Sequence, residues 1–397
     1  MFSQPAPSPD PTGFAVHHGS DTKLYKLVDP TLLQAIPSAR GGAAEPILAL
    51  SQVLGSAGPA RVAAVEAAGQ IVFHAVGDTG SVKGPATQSV VADKMVTDFT
   101  EMNAADVPAF YFHLGDVVYS FGEGKYYYDQ FYEPYREYPA PILAIAGNHD
   151  GVVYSGDPAP TLDAFLRNFC SPAPVRTPEA GTLLRTSMIQ PGVFFTFDAP
   201  FIRILALYSN VLEDPGVISS EANSTSPVDD RQLTFLTAAL SRAKKENYAG
   251  AVVIAVHHPP FTFGSVHSGS PRMLQDIDAA IASAGFAPHA ILSGHAHNYQ
   301  RFTRTVGATQ VPYIIAGDGG HAVNPIQQNI NGTPLRTPLP VSSTLTFENY
   351  DDADFGYLRI VVDSQTLRIE YHPASGGPNQ KTPDDYVNVN LKTRTTA

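Results

Sequence analysis

Short apolar runs that each stop at polar residues dominate the hydrophobic pattern of this chain. The runs cover residues Ile71–Val76, Ala109–Leu114, Ile142–Ala146, Val252–Val256 and Ala290–Ser293. Their length and their aromatic and β-branched content predict buried strands. In each case Asp, Asn or His follows the run within a few residues. The pattern therefore places these polar residues at the carboxyl ends of strands, where open α/β sheets keep their ligands.

Between and after these runs, the spacing of apolar residues predicts further elements. Helices are predicted over Gln88–Met102, from Asp229 or Asp230 to about Glu246, and over Pro271–Ala284, with Lys125–Arg136 as another candidate. Additional strands are predicted over Val193–Phe197, Phe201–Tyr208, Thr303–Gly307, Val311–Ala316 and Thr344–Asn349, with a hairpin over Phe355–His372. Alternating strands and helices followed by antiparallel strands predict the α/β class, as a four-layer α/β/β/α sandwich.

The same pattern divides the chain into three parts. Residues 1–68 are predicted to be an N-terminal extension, made of a Pro- and Ser-rich arm followed by short helices. Residues 69–375 are predicted to form the catalytic domain, and residues 376–397 a C-terminal tail. The segment Gly151–Gln190 is rich in proline and glycine, which is typical of an irregular insertion and a candidate lid over a site.

Composition narrows the class of partner. The 397 residues are 43% hydrophobic and 16% charged, which fits a globular protein. A net charge of −12 argues against nucleic acid, because phosphate backbones favour a basic surface. No run reaches the roughly 18 apolar residues of a membrane span. The single cysteine, Cys170, excludes an internal disulfide. A small phosphate ester is compatible with this charge, because bound metal ions would reverse the local sign. The sequence leaves the oligomeric state open, with a monomer as the default expectation.

The first residues lack both a basic n-region and an apolar h-region, so the sequence predicts no signal peptide. A cytoplasmic location is the default expectation, and export with the signal already removed would leave the same sequence.

The polar clusters after the five apolar runs share one chemistry. They read Gly-Asp-Thr-Gly at 77–80, Gly-Asp-Val-Val-Tyr at 115–119, Gly-Asn-His-Asp at 147–150, His-His-Pro-Pro at 257–260 and Gly-His-Ala-His at 294–297. Carboxylate, amide and imidazole groups are ligands for hard or borderline metal ions, and no thiolate is among them. The clusters therefore predict a metal centre at one rim of a sheet.

In this order, the five clusters resemble the motifs of the calcineurin-like metallophosphoesterases, and within them those of the purple acid phosphatases. Two details favour that branch. No histidine stands two residues after Asp78, and Tyr119 occupies the place of the iron-bound tyrosinate. The resemblance covers roughly residues 70–375. It implies the metallophosphoesterase fold and a metal-dependent phosphoric ester hydrolase.

The resemblance also implies a ligand set for two metal ions. It assigns Asp78, Tyr119 and His297 to a first ion, expected to be Fe(III). It assigns Asn148, His257 and His295 to a second ion, which could be Fe(II), Zn(II) or Mn(II). Asp116 is expected to bridge the two ions. The first set is harder and more anionic, which suits a trivalent ion. Two ions about 3.5–4 Å apart can bind a phosphoryl oxygen and lower the pKa of a water, so that a metal-bound hydroxide attacks phosphorus.

Other polar residues are candidates for the remaining chemistry. His149 is expected to hold the phosphate or to protonate the leaving alkoxide, with Asp150 orienting its imidazole. His267, ten residues after His257, is a second candidate proton donor. Asp318 and His321, in a Gly-rich turn, are assigned at most to the rim of the site. His258 is left out of the ligand set.

Several residues have a simpler structural interpretation. His74, His113, His289 and His372 are expected to be hydrogen-bonded core residues, because buried polar groups usually pair. Tyr119 would, in that interpretation, pack near Phe121, and the aromatic run 126–138 would be core packing.

Three functions remain in competition. The first is an acid phosphomonoesterase of the purple type. The second is a phosphodiesterase on the same metal core, acting on cyclic nucleotides or phospholipid head groups. The third, a metal-bound interaction module without catalysis, is disfavoured because the ligand set is complete and His149 is present. Ligands alone do not separate the first two, because the pocket walls decide how many esters the phosphate carries.

Overall fold

Two β-sheets with helices against them make up most of the structure, a computed structural model that describes residues 35–81, 83–152, 159–209, 216–220, 229–330, 333–377 and 379–397. In these ranges, helices α1 to α7 are Leu50–Val53, Gly58–Ala68, Ala86–Thr97, Asn148–Gly151, Asp163–Phe169, Arg231–Lys245 and Pro271–Ala284. The predicted α/β class is confirmed. The arm predicted for residues 1–30 lies outside the described residues, as do residues 153–158 of the predicted insertion.

The strands follow the predicted apolar runs closely. Strands β1 to β17 are Ile47–Ala49, Gln70–Val76, Tyr111–His113, Ile142–Ala144, Phe195–Ala199, Ile202–Leu207, Ala251–Val256, Ala290–Ser293, Tyr299–Val306, Thr309–Ala316, Asn329–Ile330, Thr333–Pro334, Leu339–Pro340, Leu345–Asp351, Gly356–Asp363, Thr366–Pro373 and Asp385–Asn390. The order in the first sheet is β1-β5-β6-β7-β8-β10-β9-β14-β13, and in the second sheet it is β17-β16-β15-β2-β3-β4. Strands β11 and β12 form a separate pair.

Each sheet has a parallel part and an antiparallel part. Strands β6, β7, β8 and β10 are parallel in the first sheet, and β2, β3 and β4 are parallel in the second. The later strands pair antiparallel, including the hairpin of β15 and β16. Because the strands within each parallel group run in one direction, the polar residues that follow them meet at one edge of that group.

The two sheets face each other across an aromatic core. Phe110, before β3, meets Phe197 of β5 with ring centroids 5.0 Å apart, and Tyr299 of β9 stacks on Tyr371 of β16 at 4.1 Å. Helices cover the outer faces. Arg304 of β9 forms an ion pair with Asp278 of α7, on the first sheet. On the second, the buried Lys94 of α3 donates to the carbonyl group of Pro373. The layers are therefore helix, sheet, sheet and helix.

Two predicted helices differ in detail. The first ends at Thr97 instead of Met102, because the side chain of Asp98 turns inward to accept hydrogen bonds from Tyr357 and His74. The aromatic candidate at Lys125–Arg136 is a 3-10 turn followed by a π-helical turn over Tyr128–Tyr132. All five side chains of that π-helical turn are buried, a pattern that a one-sided amphipathic α-helix does not give.

The division into an extension, a catalytic domain and a tail stays a prediction. Within the tail, β17 pairs with β16 and is the outer strand of the second sheet. No helix in the described ranges is both long enough and apolar enough to span a membrane.

Candidate metal centre

The polar clusters that follow β2, β3, β4, β7 and β8 converge where the parallel parts of the two sheets meet. All seven predicted ligands are buried: Asp78, Asp116, Tyr119, Asn148, His257, His295 and His297. The second sheet supplies the carboxylates, the phenol and the amide, and the first sheet supplies the three imidazoles. The described contacts join these side chains into one cluster.

The phenol of Tyr119 lies between two buried carboxylates. Its oxygen is 3.1 Å from Oδ1 of Asp78 and 3.1 Å from Oδ2 of Asp116, and it is 3.4 Å from Nε2 of His297. A hydroxyl group has one proton and can donate to only one carboxylate at a time. Burying two carboxylates around a single shared proton is costly. A cation at this position would compensate both charges, so the donor set fits a metal ion.

His257 provides independent support for a cation. Its Nδ1 lies 2.8 Å from the carbonyl oxygen of Leu114, which can only accept, so Nδ1 carries a proton. Its Nε2 then points at Oδ2 of Asp116, 3.2 Å away, and at Oδ1 of Asn148, 3.1 Å away. Burial lowers the pKa of His257, but the charges of Asp116 and Asp78 raise it to about 9. A second proton, or a metal ion in its place, is needed between the Nε2 atom and the carboxylate.

Two other imidazoles are held neutral, as metal ligation requires. Burial lowers the pKa of His297 to about 4, against the opposing hydrogen bond to Asp78. Burial and the neighbouring imidazoles, His258 first, hold the pKa of His295 well below its usual value. Donor atoms of Asp116, His257 and His295 lie within 4.8 Å of one another, close enough for one ion.

The backbone is strained at three of the predicted ligands. Asp78, Asp116 and His295 adopt positive φ values of 55°, 54° and 67°. This left-handed region is uncommon for residues other than glycine, and such strain clusters at functional sites. In each case the strained residue follows the end of a strand, and its own side chain is the proposed ligand.

Two motif glycines make room for ligands from other motifs. A Cβ atom on Gly147 would overlap the carboxylate of Asp116, and one on Gly115 would overlap the ring of His257. Gly115 also has a positive φ of 97°, which other residues rarely adopt. The glycines are therefore needed for the close approach of the loops.

Asp150 does not have the contacts that the sequence predicts. We expected it to orient His149, but its carboxylate accepts hydrogen bonds from the backbone N–H groups of Val117, at 3.1 Å, and of Gly147, at 2.9 Å. It thus joins the loop that carries Asp116 to the loop that carries the next motif. Burial and the charge of Asp116 raise the pKa of Asp150 to about 7.

His149 is positioned by the backbone instead. Its Nδ1 lies 2.8 Å from the carbonyl oxygen of Ser120, so this nitrogen donates and Nε2 is left as the nitrogen nearer the metal ligands. Nε2 is 3.9 Å from Oδ2 of Asp116, and the ring lies 4.1 Å from that of Tyr119. His149 therefore borders the candidate metal centre.

The structure brings two further histidines of the first sheet to the site. The ring of His267 is 4.3 Å from that of His295 and 5.2 Å from that of His297, so it borders the cluster. Its role as a proton donor stays a prediction. His258 lies 4.1 Å from His295, and its Nδ1 is 2.7 Å from Oγ of Ser209. His258 therefore packs against the ring of His295.

His321 is closer to the centre than its expected place at the rim. Its ring stacks on that of Tyr119 at 3.6 Å and an interplanar angle of 14°, and its Nδ1 is 2.8 Å from the carbonyl oxygen of Gly80. Asp318, by contrast, is fully buried and bonds to Tyr371. The sequence did contain a signal for His321. β10 is another apolar run that ends in a Gly-Asp cluster, and it is parallel to β8.

The four histidines with a structural interpretation pair within the core. His74 contacts Tyr138 and Asp98, and Nε2 of His113 lies 2.8 Å from Oγ1 of Thr79. His289 and His372 likewise have backbone or side-chain partners.

Comparisons with known proteins agree with this architecture. A family model described as calcineurin-like phosphoesterase matches residues 71–299. A purple acid phosphatase, PPD1, from yellow lupin (Lupinus luteus) seeds has a similar structure, with a TM-score of 0.54 and 14% identity over 81% of this chain. This chain spans 54% of that protein's length. GAP50, the anchor in the inner membrane complex of Plasmodium, has a TM-score of 0.52 and 13% identity, covering 82% of this chain and 91% of GAP50. At these identities the likeness concerns the fold. No curated protein sequence matches.

Proposed function

Because this chain belongs to the calcineurin-like phosphoesterase family, we propose that it is an acid phosphatase of the purple type, which hydrolyses phosphate monoesters with two metal ions. The chain is a metal-dependent phosphoester hydrolase by its family. The observation that carries the finer proposal is the phenol of Tyr119, placed between the carboxylates of Asp78 and Asp116. A phenolate in that position is a hard anionic ligand, which suits a trivalent ion.

The proposed ligand set has two halves joined by Asp116. Asp78, Tyr119 and His297 would hold Fe(III), and Asn148, His257 and His295 would hold a divalent ion, Fe(II), Zn(II) or Mn(II). The position of the Asp116 carboxylate supports the bridge. Oδ2 faces both Tyr119 and His257, which belong to opposite halves, and Oδ1 accepts a hydrogen bond from the backbone of His149. When bound, the metal ions would stabilise charge on the phosphoryl oxygens and lower the pKa of a water.

The histidines outside the ligand set would bind the phosphate and move protons. His149, His267 and His321 all lie against proposed ligands. A monoester dianion carries one more charge than a diester, so this ring of imidazole donors favours the monoester. The carbonyl group of Ser120 accepts a hydrogen bond from Nδ1 of His149. Nε2 therefore donates a proton to the leaving alkoxide only when the ring is the imidazolium, in which both nitrogens carry a proton.

Parallel assays would test the substrate class. We expect the metal-loaded protein to hydrolyse p-nitrophenyl phosphate with a kcat/KM at least tenfold above that for bis-p-nitrophenyl phosphate. The assays should span acidic and neutral pH, with the metal-stripped protein as the control. A preference for the diester would replace the proposal with a phosphodiesterase on the same core.

A colour test would address the purple type. A phenolate bound to Fe(III) gives a visible charge-transfer band, so protein loaded with iron should be coloured and Tyr119→Phe should lose the band. The matched control is Tyr135→Phe, which changes a buried tyrosine outside the proposed ligand set. A colourless wild type that contains its full iron, or a coloured Tyr119→Phe variant, would leave only a generic phosphoesterase.

A further inference from the structure

A cavity lies at the opposite end of the second sheet from the metal centre. It encloses about 390 Å³ beneath α2, around the amino-terminal ends of β2, β3 and β4. Strand β2 has seven residues, and a strand rises about 3.3 Å per residue, so the cavity is roughly 20 Å from Asp78. It is therefore separate from the candidate metal centre. Its size lies within the range of about 300–1,000 Å³ that is typical of small-molecule sites.

The wall of the cavity is almost entirely apolar. Leu50, Leu54 and Val65 line one side, and Ile71 and Phe99 line another. Two of the four residues that α2 turns toward the cavity, Ala64 and Ala68, are small, whereas Arg61 and Val65 are larger. Ala64 and Ala68 lie where longer side chains would fill the space. Only Gly58 is fully buried within α2, and Val62 and Val65 pack partly buried against the core, so much of the helix lies over the cavity.

The two polar residues of the wall, Gln70 and Arg61, differ in whether their side-chain donors already have partners among the described residues. The Nε2 atom of Gln70 already donates to the carbonyl group of Ala105 and to Asp106. Arg61 is the only charged residue among those that line the cavity. It is exposed, and no ion pair or hydrogen bond joins its guanidinium group to any residue in the described ranges. An apolar chamber with one unpaired cation beside it is complementary to an amphiphile with an anionic head.

We propose that this cavity binds a single-chain fatty acid, with its hydrocarbon chain inside and its carboxylate on Arg61. The apolar wall accounts for the chain, and Arg61 supplies the charge and the fork-shaped donors that a carboxylate fits. The site is independent of the phosphoesterase reaction, because its lining shares no residue with the metal centre.

Titration calorimetry on the metal-loaded full chain would test the proposal, with dodecanoate as the probe. We expect one saturable site, and decanoate should bind roughly tenfold more weakly, because each buried methylene contributes to affinity. Arg61→Gln should weaken dodecanoate roughly fivefold, the scale of a partly exposed ion pair, and should leave dodecanol unchanged. The matched control is Arg176→Gln, which removes an exposed arginine elsewhere on the surface.

Ala64→Phe should weaken both dodecanoate and dodecanol at least tenfold by filling the mouth, while the phosphatase rate stays at the wild-type level and reports a folded protein. Val65→Trp provides a second occluding change. The proposal is overturned if dodecanoate shows no saturable binding, if both occluding variants bind it as the wild type does, or if Arg61→Gln and Arg176→Gln behave alike.

Discussion

Tyr119 is the residue on which the character of the site depends. Its oxygen contacts two carboxylates, and its ring contacts the imidazoles of His149 and His321. In the sequence, the family resemblance selected Tyr119, which stands three residues after Asp116. The sequence contained a signal that His321 follows a strand of the same kind, but not that its ring stacks on that of Tyr119. That contact joins loops about 200 residues apart, and their approach depends on the pairing of β10 with β8.

At this scale, His149 carries a prediction about leaving groups. His149→Ala should keep both metal ions but lose roughly 10²–10⁴-fold in kcat on alkyl phosphates, the range of general acid catalysis. The loss should be much smaller on p-nitrophenyl phosphate, whose leaving group needs no proton. Single-turnover rates on the two substrates, with metal analysis, would measure this.

His267→Ala is the comparison variant for that experiment, because His267 also borders the cluster. Equal losses on both substrates in His149→Ala would mean that His149 binds phosphate. If only His267→Ala loses more activity on alkyl phosphates than on p-nitrophenyl phosphate, then His267, and not His149, is the general acid.

The hairpin of β15 and β16 shows how an element outside the site contributes to stability in acid. Glu370 on β16 accepts hydrogen bonds from Arg359 of β15, at 3.2 Å, and from Arg368 and His372 of its own strand, at 2.6 and 3.2 Å. Burial raises the pKa of Glu370, but these partners lower it to about 2. A folded pKa that lies below the unfolded value stabilises the protein at higher pH.

We predict that Glu370 loses its stabilising effect as the pH falls. The contribution of Glu370, about 3 kcal/mol for a shift of this size, is present above pH 4.5 and is lost as the pH falls toward 2. Glu370→Gln should therefore be less stable than the wild type at pH 6, and the difference should shrink by pH 2.5. Denaturant unfolding at both pH values would measure it. Glu66→Gln, an exposed change on α2, is the control, and a difference independent of pH would contradict the argument.

For the molecule as a whole, the candidate centre joins the two sheets. Asp78, Asp116 and Asn148 follow strands of the second sheet, while His257 and His295 follow strands of the first. Ligands that bind only the folded state stabilise it by mass action, by about 2.7 kcal/mol at a hundredfold excess over Kd. Metal ions bound here would add that free energy across the boundary between the sheets.

Removal of metal should accordingly lower the Tm by several degrees, and re-addition should restore it. Asp116→Ala should bind neither ion and should show the same Tm with and without metal. Calorimetry combined with metal analysis provides the measurement. Two equivalents of metal retained in Asp116→Ala would exclude the bridging role.

The sequence predicted those features of the molecule that depend on residues close together in the chain. The five apolar runs predicted strands, and their polar ends predicted the residues that converge. The sequence predicted that Asp150 orients His149, but its carboxylate instead accepts hydrogen bonds from backbone N–H groups. Those groups come together only through the fold of two loops, which a local pattern does not show. The π-helical turn at Tyr128–Tyr132 was missed for a similar reason. Its aromatic residues and the polar Asp129 and Gln130 are all buried, so polar and apolar positions do not alternate between an exposed face and a buried face.

The fit of Gly147 beneath Asp116 and of Gly115 beneath His257 has a consequence for any attempt to redesign the centre. A glycine in one motif is the space that a ligand of another motif occupies, so substitutions in the two motifs will not have additive effects. A change of metal preference made one motif at a time passes through variants in which a loop is displaced and the protein is inactive. The order in which substitutions are made then decides which active variants can be obtained. Simultaneous changes in two motifs give active variants that single substitutions made one after another do not.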